Sequence, residues 1–173
     1  KQIIRILFCS ITLMFLSAGA SAKLKTFSHA VKAGLMVGNN AENVFFEYKT
    51  GPGVITKQWY SGKRCMDEKV TMRIYVDGEP DPGLEFNLFF AHGIGTDQDD
   101  ETLKSPWGTK WISHFADGGG LYNAYRIPFG KSIKITASRD GPDCKFWYMV
   151  SGGEDFPLVL GDLQLPASAR LKL

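Results

Sequence analysis

The sequence predicts an antiparallel all-β fold, a jelly-roll β-sandwich of about eight short strands. Three observations carry this expectation. Val70, Met72, Ile74 and Val76 alternate with Thr71, Arg73, Tyr75 and Asp77, and this period of two sets an apolar row against a polar one. Ile133, Ile135 and Ala137 alternate with Lys134, Thr136 and Ser138 in the same way. Turn-forming clusters punctuate the apolar runs: Gly51-Pro52-Gly53, Asp77-Gly78, Pro80-Asp81-Pro82-Gly83, Asp140-Gly141-Pro142-Asp143 and Gly152-Gly153.

Taken in chain order, residues 1–22 read as a cleaved export signal. Lys1 and Arg5 supply positive charge, Ile6 to Leu16 form the apolar run, and Ala20-Ser21-Ala22 offers small residues at the cleavage point. The run is short for a membrane anchor, and no later segment approaches spanning length, so the expectation is a secreted product with no membrane after cleavage. Residues 23–173 then form a single jelly-roll domain. Lys25 to Met36 is the one stretch able to make a short N-terminal helix. Strands are expected at Asn43 to Lys49, Val54 to Ser61, Leu84 to Phe90, Thr109 to Phe115, Leu121 to Ile127 and Lys145 to Ser151, besides the two alternating segments. The chain opens on Lys1 and closes on Leu171-Lys172-Leu173, so both ends read as cuts within a longer protein.

Charge and cysteines narrow the partners. The formal net charge is +2, and residues 1–22 hold two cations and no acid, so +2 less 2 leaves zero on the remainder. A balanced chain lacks the basic surplus that neutralises phosphates, which excludes nucleic acid. Cys9 leaves with the signal. Cys65 and Cys144 remain as an even pair in an exported chain, either as a disulfide or as two separately buried thiols. His29, His92 and His114 show no ligand spacing with either cysteine, so no metal site is expected.

Three blocks in order carry a family resemblance. Gly51-Pro52-Gly53-Val54-Ile55-Thr56-Lys57-Gln58-Trp59 comes first. Met72-Arg73-Ile74-Tyr75-Val76-Asp77-Gly78-Glu79-Pro80, leading to Leu88-Phe89-Phe90, comes second. Gly118 to Lys131 comes third. Together they resemble the N-terminal part of glycoside hydrolase family 172, formerly domain of unknown function 2961, over roughly Gly51 to Ile135. The resemblance implies two jelly rolls in one polypeptide, homo-oligomers of three or more copies, activity on fructofuranosides or arabinofuranosides, and no organic cofactor. Its catalytic glutamates belong to the second half, in a Gly-Thr-Glu-Asp-Tyr-Phe block that is absent here. No catalytic residue is therefore carried over, and this chain alone is expected not to hydrolyse glycosides.

The candidate contacts are aromatic and polar. Glycosidases need two carboxyl groups at a defined separation, whereas sugar binding needs aromatic surfaces with a few fixed polar groups. Tyr122, Asn123, Tyr125 and Arg126 follow the triple glycine Gly118-Gly119-Gly120, a tripeptide kept where φ is positive or another surface comes close. Alternating along the expected strand, Tyr122 and Arg126 share one face with Ala124, and Asn123, Tyr125 and Ile127 share the other. Either face could instead pack in the core or at a subunit contact. Trp107, beside Pro106 and Gly108 in an expected loop, is the favoured tryptophan platform over Trp59 and Trp111. Asp97, Asp99, Asp100 and Glu101 read as a solvated hairpin tip, His92 and His114 as structural histidines, and Asp77 as a turn former.

Overall fold

The computed structural model describes residues 25–95, 106–115, 120–155, 159–160, 162–166 and 169. Residues 1–22, expected as an export signal, the acidic run at 97–101 and the first two glycines of the triplet lie outside the described residues. In chain order the elements are β1 (Thr26–Met36), β2 (Asn43–Tyr48), β3 (Gly53–Lys63), β4 (Val70–Val76), β5 (Leu84–Asn87), α1 (Leu88–Ala91), β6 (Trp107–Gly108), β7 (Ile112–His114), β8 (Leu121–Asn123), β9 (Ile127–Phe129), β10 (Ile133–Arg139), β11 (Cys144–Glu154), β12 (Val159–Leu160) and β13 (Leu163–Gln164). A seven-stranded sheet runs β1-β11-β3-β8-β7-β6, with β9 also on β3, and a four-stranded sheet runs β2-β10-β4-β5. Both sheets are antiparallel, and their inner faces form one core that includes Ile55, Tyr60, Met72, Ile74, Leu121, Ile135, Phe146 and Tyr148. The β-sandwich class expected from the alternating rows is the observed one.

Several elements depart from the sequence expectation. Lys25 to Met36 is not a helix but strand β1, paired with β11 from Thr26↔Gly153 to Met36↔Cys144. A helix of this length has little stability of its own, while a long partner strand satisfies its backbone and lets Phe27 stack on Tyr48 at 4.3 Å. An irregularity between Val31 and Gly34 interrupts the period of two, which hides the strand in the sequence. The expected strand at Leu84 to Phe90 divides at Asn87. The Asn87 Oδ1 accepts from the amides of Phe89 and Phe90 at 3.0 and 3.2 Å and starts α1. The expected strand at Leu121 to Ile127 is broken into β8 and β9, with Ala124 to Arg126 outside the ladder. These two sheets hold seven and four strands rather than about eight in all because β1 and β6 are added and the stretch 121–127 divides into β8 and β9.

Two long-range ties close the fold. Cys65 and Cys144 form a disulfide with Cα atoms 5.5 Å apart and a sequence separation of 79. Closing a loop of that size restricts the unfolded chain by about 4 kcal/mol in the entropic account. Beside it, the Arg139 guanidinium donates to the Asp67 carboxylate through Nε at 3.1 Å and through a second nitrogen, and to the Pro142 carbonyl at 2.9 Å. Both members are buried, so each charge is held by its partner and not by water.

The three sequence blocks meet in space. β3 pairs with β8 through Gln58 to Tyr60 and with β9 through Gly53 to Ile55. Asp77, at φ 57°, turns its carboxylate onto the amides of Gly130, Lys131 and Ser132 at 2.9, 2.6 and 3.1 Å. A Cβ on Gly51 would lie 2.6 Å from the Gly130 carbonyl oxygen, so glycine there permits the close approach of the first and third blocks.

Candidate functional site

Strand register sorts the large sheet into rows. Ala30, Met149, Trp59, Tyr122, Ser113 and Gly108 stand opposite one another across six strands. The adjacent row, Val31, Tyr148, Tyr60, Leu121, His114 and Trp107, faces the other way. Tyr148, Tyr60, Leu121 and His114 are buried, so theirs is the core-facing row and the Met149-Trp59-Tyr122 row faces outward. A second outward row, Ser28, Ser151 and Lys57, lies beside it.

A shallow groove follows these outward rows. One part, about 490 Å³, is lined by Lys57, Trp59, Phe115, Tyr122 and Ala124. The other, about 390 Å³, adds Ser28, Ala30, Met149 and Ser151 and shares Lys57 and Trp59. Phe115 and Met149 are 54% and 51% exposed, so apolar surface lies open along its length. Trp59 is fixed from below: Gly120 sits at φ 152°, and a Cβ there would come within 2.6 Å of the indole Nε1. The last glycine of the triplet thus combines the positive φ and the close approach that such a residue allows. Tyr122 is held from its far end, where its hydroxyl donates to the Thr109 carbonyl at 3.3 Å.

The sequence candidates do not all converge on this groove. Tyr122 lines it. Asn123 faces inward and is buried; its Oδ1 accepts from the Tyr125 amide at 2.8 Å and shapes the break between β8 and β9. Because the strand breaks there, the expected alternation through Tyr125 and Arg126 does not hold. Both are exposed in the break. Tyr125 stacks instead on Trp111 with ring centroids 6.3 Å apart, under the Lys110 ammonium 4.9 Å from the indole centroid. Trp107 belongs to the core-facing row, where it stacks on His114 at 6.0 Å, on the opposite side of the sheet from Tyr122.

Trp59 lines both parts of the groove, a position that the sequence alternation does not reveal. β3 carries a bulge against β11 between Ser151↔Lys57 and Gly152↔Ile55. Thr56 is the extra residue, so Ile55 faces the core before the bulge, and Gln58 and Tyr60 face it after. A strict alternation from Val54 mixes the two faces and gives no amphipathic signal. Reading the period backwards from Ser61 would have placed Trp59 and Lys57 together outside.

The histidines behind the groove serve the scaffold. His92 Nδ1 donates to the Leu88 carbonyl at 2.6 Å, and His114 Nδ1 lies 2.8 Å from the His92 carbonyl. Burial pushes the His92 pKa down to about 4, so the ring is neutral at ordinary pH. The Tyr148 hydroxyl donates to Gln58 Oε1 at 2.9 Å, while the buried Tyr60 hydroxyl and Gln58 Nε2 have no hydrogen-bond partner among the described residues. No group of His, Cys, Asp and Glu among the described residues is arranged to hold a metal.

A family model described as the GH172 first beta-sandwich domain matches residues 25–153. Among curated proteins, none matches the chain.

Proposed function

The chain belongs to the GH172 family, and on that premise we propose that it is the sugar-binding, assembly-forming sandwich of an exported furanoside-acting glycoside hydrolase. The observation that carries this reading is the outward aromatic row of Trp59 and Tyr122 on the groove floor. Stacked sugar rings need an accessible apolar plane with polar groups at its margin, and Trp59 with Lys57, Ser28 and Ser151 supplies that combination. The lining residues include no carboxylate, so the reading assigns the groove binding and leaves bond cleavage to carboxylates outside it. Export is supported by the buried Cys65–Cys144 disulfide, a bond that persists in oxidising compartments. The exposed apolar side chains of Phe115 and Met149 favour a second use of the same face, as a contact between subunits.

The test is titration calorimetry of the chain with oligosaccharides of arabinofuranose and of fructofuranose, alongside Trp59→Ala and Tyr122→Ala. The expected result is binding to one of the two, weakened at least tenfold by each substitution. Binding that survives both changes intact would remove the groove from the proposal. Sedimentation velocity on the same samples checks assembly, for which a monomer at all concentrations is the contrary result.

A further inference from the structure

The charge on the large sheet is one-sided. Among the residues whose side chains are described, its strands contain Lys57 and Lys145 and a single carboxylate, Glu154. That carboxylate is already engaged: one oxygen accepts from the Tyr48 hydroxyl at 2.5 Å and the other meets the Lys25 ammonium at 3.1 Å. The four-stranded sheet is different, since its Arg73 is answered by Glu85 at 2.8 Å and its Arg139 by Asp67. Lys57 is exposed, forms part of both halves of the groove, and has no ion pair among the described residues. It stands two residues from Trp59 on the same outward face, so its ammonium stem rises beside the indole platform.

A neutral furanoside would gain only ordinary hydrogen bonds from this ammonium, whereas an anionic substituent would gain a charge-assisted contact beside an aromatic plane. We infer that this groove selects glycans carrying a negatively charged substituent, a carboxylate or a sulfate, and that Lys57 is the residue that sets this preference. The inference rests on the reading of the groove as a sugar site and adds the class of sugar. Ser28 and Ser151, in the row that ends at Lys57, add hydroxyl donors to the same outward face.

Calorimetry of the full chain separates the possibilities. Oligogalacturonate is compared with its methyl ester of the same length, and dextran sulfate with dextran, which distinguishes the carboxylate source from the sulfate source. The expected result is binding about tenfold tighter for at least one charged member of a pair, with a preference that shrinks as salt rises. Lys57→Gln should abolish that preference and Lys57→Arg should keep it, with unchanged melting temperatures showing that both variants fold. Equal affinity within both pairs, or a preference untouched by Lys57→Gln, overturns the inference. If neutral furanose oligosaccharides still bind in that case, the proposed function stands without it. If no glycan of either kind binds, both fall.

Discussion

On the outer face of the four-stranded sheet, Glu42 accepts from the Tyr75 and Thr136 hydroxyls at 2.6 Å each, the Lys134 ammonium lies 4.1 Å from the Tyr75 ring centroid, and Arg73 bridges Ser138 and Glu85. On the outer face of the large sheet, Trp59, Tyr122, Phe115 and Met149 lie open and Lys57 has no ion pair among the described residues. Both faces come from alternating strands on one core. The first satisfies its polar groups within itself; the second leaves apolar area and charge for something else. An outer face that closes its own hydrogen bonds contributes stability, and one that does not is available for recognition.

The largest expected effect breaks both faces together. Asp67→Ala leaves Arg139 buried without its partner and should cost about 3 to 5 kcal/mol, read as a fall in the denaturant midpoint. A smaller loss would mean that the guanidinium reaches water. Next in size is a pH dependence that separates the two sheets. His92 has a folded-state pKa lowered to about 4 against 6.5 when unfolded, so its contribution is complete above pH 6.5 and is lost as pH falls to 4. That loss amounts to about 3 kcal/mol at most. Glu42 on the small sheet is also lowered, chiefly by its hydrogen bonds from Thr136 and Tyr75, so its contribution holds above pH 4.5 and is lost only below it. Melting temperatures should therefore begin to fall below pH 6.5 in the parent and in Glu42→Gln, and stay flatter between pH 6.5 and 4.5 in His92→Gln. Identical curves for all three would refute the assignment.

A smaller contrast sharpens the division of labour. Glu42→Ala should lower stability by about 1 kcal/mol and leave glycan affinity unchanged, whereas Trp59→Ala should weaken binding with the fold retained. Stability and affinity that fall together in both variants would erase the distinction between the faces. The smallest change is expected at Tyr60→Phe. The Tyr60 hydroxyl is buried without a partner among the described residues, so removing it should be neutral or stabilise by up to about 1 kcal/mol. A clear loss in the denaturant midpoint would reveal an interaction made by that hydroxyl.

Legibility differed between these regions for the same structural reason. β4 and β10 pair with each other in an uninterrupted register, the shift at Ile135/Thr136 falling in the pairing of β10 with β2, so their period of two survives from sequence to structure and the inward positions of Met72, Ile74 and Ile135 follow from it. β3 and β1 each carry an irregularity, and β8 and β9 are one interrupted course along β3, so alternation failed where the groove was built. Tyr122, expected as a contact from its type and its glycine neighbour, lines the groove together with Trp59, whereas Trp107 lies on the opposite side of the sheet.

By itself the sequence determined the β-sandwich class, the turns, the family and the even pair of cysteines, because each depends on local periodicity, backbone preference or ordered motifs. Only the tertiary structure decided that Lys25 to Met36 is a strand, that Cys65 bonds Cys144, and that Trp59, Tyr122, Met149 and Lys57 share one outward groove. Those outcomes turn on which distant strand supplies the backbone partners and on where a bulge reverses the face, and both are settled by long-range pairing.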